Sequence, residues 1–111
     1  MNKDTLLIVD DILANVKILR TFLSNAGFNV LIAEDGKEAI QVTENAHPDL
    51  ILLDIMMPGM DGFKVCRHLK SQENTKDIPI IFMTALTEVA DKLKGFKMGA
   101  ADYVTKPFLQ Q

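Results

Sequence analysis

The chain has 111 residues, 48% of them apolar, and a formal charge of −3. That suffices for one core and argues against disorder, and no Lys/Arg cluster offers the concentrated positive charge a nucleic-acid surface needs. No apolar stretch approaches a membrane span, Met1-Asn2-Lys3-Asp4 lacks signal-peptide form, and the lone Cys66 excludes an internal disulfide, so a cytoplasmic setting is expected.

Short apolar runs alternate with segments of helical periodicity. A strand is predicted over Thr5–Val9, then a helix over Ile12–Ala26, where Ile12, Val16, Leu19, Leu23 and Ala26 recur at helical spacing and Gly27 supplies a stop. A second strand follows at Asn29–Ala33 and a second helix at Gly36–Asn45, carrying Ala39, Ile40 and Val42. Beyond Pro48 comes a third strand, Leu50–Leu53, then Asp54, the loop Ile55–Met60 and a helix over Asp61–Ser71. A fourth strand is predicted at Ile80–Met83 and a helix at Glu88–Met98, with Val89, Leu93 and Phe96 on one face. The fifth strand lies near Asp102–Thr105. This alternation implies an α/β fold with parallel strands and right-handed crossovers.

Strands that read as unbroken apolar runs are buried on both faces, and ligands of such sheets bind beyond the strands' carboxyl ends. The runs end in Asp10-Asp11, Asp54, Thr84 and Lys106, so three carboxylates, a hydroxyl and an ammonium are expected to converge. Two carboxylates about 4 Å apart repel by ~4 kcal/mol at an effective dielectric of ~20. The cluster must therefore hold a proton or bind a cation, and oxygen ligands without His or Cys suit a hard ion such as Mg²⁺. With Lys106 beside it, the recess attracts phosphate, and phosphoryl transfer to a nucleophilic aspartate is the reaction that fits.

Asp10-Asp11, Asp54 followed by Met57-Pro58-Gly59-Met60-Asp61-Gly62, Thr84-Ala85, and Tyr103-Val104-Thr105-Lys106-Pro107-Phe108 together resemble the response-regulator receiver domain of two-component signalling. The resemblance implies a doubly wound, flavodoxin-like (βα)5 three-layer sandwich with strand order 2-1-3-4-5. It also implies that Asp54 accepts a phosphoryl group from a phosphohistidine on a sensor histidine kinase or histidine phosphotransfer protein. Asp10, Asp11, Asp54 and the Met56 carbonyl would hold Mg²⁺. Lys106, Thr84 and the Ala85 backbone N–H would bind the phosphoryl oxygens, with a cis Lys106-Pro107 bond turning the lysine inward. Thr84 and Tyr103 would form a switch that reshapes the surface of the fourth helix and fifth strand. Apolar Met56 and Leu86, two beyond the acceptor and two beyond the threonine, imply slow self-dephosphorylation. Such a protein catalyses its own phosphorylation without being an enzyme in the usual sense.

The chain reads as one receiver domain over residues 1–111, cut before or within a fifth helix. Self-association through the surface such a helix would cover is expected, as is a longer parent protein. Taken singly, Asp10 or Asp11 reads as a helix cap, Lys106 as a solvated charge and Thr84 as a strand-end hydroxyl. Asp61 and Gly62 read as cap and turn residues, Glu34 and Asp35 as surface charge near the site, and His47 and His68 as exposed. Met56, Met57 and Met60 read as core or loop packing, and Cys66 as a buried filler. A dehalogenase-type hydrolase needs a second acid where Met56 stands, and neither a flavodoxin-type phosphate loop nor a P-loop follows the first strand. The remaining alternative is a pseudo-receiver, a protein-interaction module that is not phosphorylated.

Overall fold

A computed structural model describes residues 3–85 and 102–106, with the backbone alone for 84–85 and 102–106. The elements run β1 (Thr5–Val9), α1 (Leu13–Asn25), β2 (Asn29–Ala33), α2 (Gly36–Ala46), β3 (Leu50–Asp54), α3 (Gly62–Lys70), β4 (Ile80–Ala85) and β5 (Asp102–Lys106). All strand pairs are parallel, in the order β2-β1-β3-β4-β5. This is the doubly wound, flavodoxin-like arrangement expected. The helix expected at 88–98, Leu86, and the Lys106-Pro107 bond lie outside the described residues, as does everything past Lys106.

Side chains alternate across the sheet with the strand period of two. Leu7, Val9, Ile51, Leu53, Ile80 and Phe82 face α2 and α3, where Ala39, Phe63, Val65, Cys66 and Leu69 complete a buried core. Phe63 meets Phe82 edge-on, ring centroids 5.1 Å apart, a geometry aromatic pairs favour. Ile8, Leu52 and Met83 point to the opposite face, against Val16, Leu19 and Leu23 of α1. The stripe on α1 is narrower than its sequence periodicity predicts. Ile12 is the residue before the helix and half exposed, Ala26 is exposed, and only Val16 is fully buried.

The helix ends follow from local chemistry. Asp35 and Asp61 precede α2 and α3, and each carboxylate accepts a backbone N–H three residues on, from Glu38 at 2.8 Å and Lys64 at 2.9 Å. Each satisfies one of the donors a helix start leaves open. Gly27 turns the chain after α1 at φ +100°, a conformation that costs glycine nothing. His47 ends α2 in the same left-handed region at φ 47°, where its β-carbon is disfavoured. After α3, Lys70 Nζ donates to the carbonyls of Lys76 and Ile78 at 3.0 and 2.7 Å. Buried Thr75 donates its hydroxyl to the Leu69 carbonyl at 2.6 Å, so polar bonds close the approach to β4.

Candidate acidic site at the strand ends

Strand register brings the acidic residues together. Val9 of β1 pairs with Leu53 of β3, so the next residues along, Asp10 and Asp54, stand side by side. One carboxylate oxygen from each of Asp10, Asp11 and Asp54 lies within 4.8 Å of the others. Asp10 and Asp54 are 1% and 2% exposed, whereas Asp11 is exposed. Burial in pairs sharpens the repulsion between like charges, because less water screens it.

Asp10 is fixed through its own side chain. Its Oδ1 accepts the Ile12 N–H at 2.9 Å and its Oδ2 accepts from Asn15 Nδ2 at 3.2 Å. This carboxylate therefore folds back onto the approach to α1, whose N-terminal N–H groups favour negative charge. The isolated-cap reading of Asp10 or Asp11 does not hold: Ile12 occupies the cap position of α1 and no side chain caps that helix, while Asp10 bonds the N–H of Ile12 ahead of the helix and faces Asp54. Asp54 ends β3, where it pairs with Met83 of β4, and its Oδ1 accepts from the Met56 N–H at a long 3.4 Å.

On the β4 and β5 side the backbone continues the same edge. Thr84 follows Met83 and pairs with Thr105, Ala85 pairs with Lys106, and Tyr103 pairs with Phe82. The backbones of Thr84, Ala85 and Lys106 thus end their strands at the edge where Asp54 ends β3, and β5 lies two strands from β3, ~10 Å at ~4.8 Å per strand. The side chains of Thr84, Ala85, Tyr103 and Lys106 lie outside what is described.

Neighbouring residues sort as follows. Met57 is buried in the α2/α3 core, while Met56, next but one to Asp54, is 75% exposed and Met60 is also exposed. Glu34 is exposed and lines a recess of about 40 Å³ beside Asp10 and Asp11, outside the cluster of three. Asp35, read from sequence as surface charge, is the α2 cap; the spacing Asp35…Glu38 ahead of an apolar helix was the available signal. His47 and His68 are exposed and Cys66 is fully buried. Burial pushes the Cys66 thiol above its usual pKa, partly opposed by the Lys70 ammonium.

The donor set fits a hard divalent cation. It consists of three carboxylates with no His or Cys among them, and the oxygens are close enough to share one ion but too close to remain mutually uncompensated. No helix among the described residues is long and apolar enough to cross a membrane.

Comparison with known proteins agrees with this arrangement. The "probable transcriptional regulator ycf27" of Cyanophora paradoxa is 47% identical over 97% of this chain, but the match covers 44% of that relative. The chain thus spans less than half the length of that curated relative. The structure of Vibrio cholerae chemotaxis protein CheY4 superposes with a TM-score of 0.91 at 32% identity, covering 97% of this chain and 90% of that one. A receiver domain from the sensor histidine kinase PA1611 of Pseudomonas aeruginosa PAO1, described with a magnesium ion coordinated in its active-site cleft, gives 0.88 at 31% identity, covering 97% and 88%. The response regulator receiver domain family matches residues 6–111, and this chain belongs to that family, whose work is two-component signalling.

Proposed function

We propose that Asp54 is the phosphoacceptor of a phosphorelay, loaded from the phosphohistidine of a sensor histidine kinase or histidine phosphotransfer protein. The convergence of Asp10 and Asp11 on Asp54 carries this reading. A carboxylate oxygen of Asp54 attacks phosphorus as the donor's P–N bond breaks, its electron pair staying on the ring nitrogen, and a new P–O bond forms. Asp10, Asp11, Asp54 and the Met56 carbonyl would hold Mg²⁺, which when bound neutralises charge on the transferring group. Asp10 orients its oxygens through Ile12 and Asn15, so its part of the ligand set is pre-formed.

Lys106, Thr84 and the Ala85 N–H are assigned to the phosphoryl oxygens, a role supported by the place of their backbones at the same edge. An acyl phosphate brings additional negative charge to Asp54, and its differential attraction for Thr84 and Lys106 shifts the Thr84/Tyr103 switch. Apolar Met56 and Leu86, two residues beyond Asp54 and Thr84 in the sequence, carry no group that could orient a hydrolytic water, and the phosphoryl group is therefore long-lived. A cytoplasmic place suits such a relay, and the lone cysteine agrees with it.

Beryllofluoride separates this reading from an unphosphorylated interaction module, because it mimics an acyl phosphate only on a competent aspartate with Mg²⁺. Amide resonances of β4 and β5 should shift when both are added to the wild type, and not in Asp54→Asn. No Mg²⁺-dependent response in the wild type would favour the interaction module.

A further inference from the structure

We infer that Gly62, the first residue of α3, is a positioning residue that sets where Asp54 stands; the inference rests on the phosphoacceptor reading. A β-carbon at Gly62 would lie 2.8 Å from Ile55 Cα and 3.0 Å from the Asp54 carbonyl carbon, and nearer still to that carbonyl's oxygen. Unbonded carbons pack at about 3.5–4.0 Å, so these are collisions. Every partner is backbone, and none can rotate away as a side-chain tip could. Gly62 is not among the residues with positive φ, so its requirement is space rather than left-handed freedom.

The contact is a stop behind the acceptor. Gly62 donates its N–H to the Ile55 carbonyl at 2.9 Å, drawing the start of α3 onto the Asp54–Ile55 peptide. Asp61 holds that first turn by accepting the Lys64 N–H at 2.9 Å, and Phe63 anchors it in the core. The helix start thus rests against the peptide that carries Asp54, with the Met56 carbonyl only two residues further along. Mg²⁺ tolerates little error in its octahedral ligand shell, and a displacement of about 1 Å can cost a hundredfold in rate. A methyl group at position 62 must push apart the very groups whose separation the site requires.

The test compares Gly62→Ala with Leu69→Ala, which weakens the packing of α3 about two turns away without approaching Asp54. Both variants and the wild type are titrated with Mg²⁺ alone by NMR, then labelled with a small acyl phosphate, under conditions where each is shown to be folded. Gly62→Ala should bind Mg²⁺ and take up phosphate about tenfold to a hundredfold less well, and Leu69→Ala should stay within about twofold of wild type. Equal behaviour of the two variants overturns the inference. Failure of the wild type to bind Mg²⁺ or take label would instead overturn the phosphoacceptor reading. Where Gly62→Ala does not fold, the pair Asp61→Ala and Asp61→Asn decides: Asn keeps the cap without the charge, Ala loses both. Weaker Mg²⁺ binding in Asp61→Ala, by about threefold or more relative to Asp61→Asn, supports the stop. Identical binding in those two refutes it.

Discussion

Asp10, at the end of β1, is held through its side chain, whereas the position of Asp54, at the end of β3, is set by what stands behind its backbone. Asp10 has bonds of 2.9 and 3.2 Å that orient both carboxylate oxygens. Asp54 has a 3.4 Å bond from Met56 at one oxygen and a close-fitting helix start against its carbonyl. The contrast suits the two roles assigned to them. Both carboxylates are assigned to the cation, but Asp54 alone must also form the new P–O bond, which calls for a backbone origin fixed relative to the donor. The faces of the sheet repeat the pattern. The α2/α3 side, which backs Asp54, is a continuous buried core, and the described part of the α1 side touches the sheet through a narrow stripe.

Neutralising the β1 end should have the largest effect. Asp10→Asn should weaken Mg²⁺ binding by about a hundredfold or more, since one unit charge at ~4 Å represents ~4 kcal/mol at an effective dielectric of ~20. Thermal melts offer the check: Mg²⁺ at about a hundred times its Kd should stabilise the wild type by ~2.7 kcal/mol, and the same concentration should do almost nothing for the variant. An unchanged Mg²⁺ response would mean that Asp10 is no ligand.

The faces should differ next. Phe82→Ala empties the centre of the α2/α3 core and should cost ~3–5 kcal/mol in urea unfolding. Phe22→Ala removes a side chain that is 62% exposed on α1 and should change stability by less than about 0.5 kcal/mol. Similar losses would show that the α1 face is more deeply packed than it stands here.

Much of this was legible in the sequence, and the reasons are local. The limits of β1 and β2 agree with those predicted, because unbroken apolar runs between turn residues leave little freedom in register. β3 and β4 run one and two residues further than the runs suggest, since Asp54, Thr84 and Ala85 continue the ladder although they are not large apolar residues. The convergence of Asp10, Asp11 and Asp54 was likewise legible, because parallel strands carry their ends to one edge. What could not be read was spatial. Nothing in the sequence distinguishes Gly62, kept for space, from a glycine kept for its φ, and the bonds of Lys70 and Thr75 that close the approach to β4 join residues without a motif.

Smaller effects test the capping and burial assignments. Asp35→Ala should cost about 1 kcal/mol through loss of its bond to Glu38 N–H, and Asp35→Asn should restore most of it, both read by urea unfolding. Cys66 should react slowly with iodoacetamide in the folded protein, because the thiol is buried and its pKa is raised. With the folded value above the unfolded one, this group's contribution is complete below about pH 8.5 and is lost as pH rises further, when the unfolded thiol ionises first. A stability curve that climbs above that pH would contradict the assignment.

On the proposed reading, the acidic residues of β1 and β3 form one Mg²⁺-dependent phosphoacceptor centred on Asp54. This is tested most directly by incubating the wild type and Asp54→Asn with a small acyl phosphate, with and without Mg²⁺, and measuring the hydroxylamine-labile phosphoryl group by intact mass. One phosphoryl group is expected on the wild type, only with Mg²⁺, and none on Asp54→Asn. Equal labelling of the two proteins, or labelling indifferent to Mg²⁺, would contradict it.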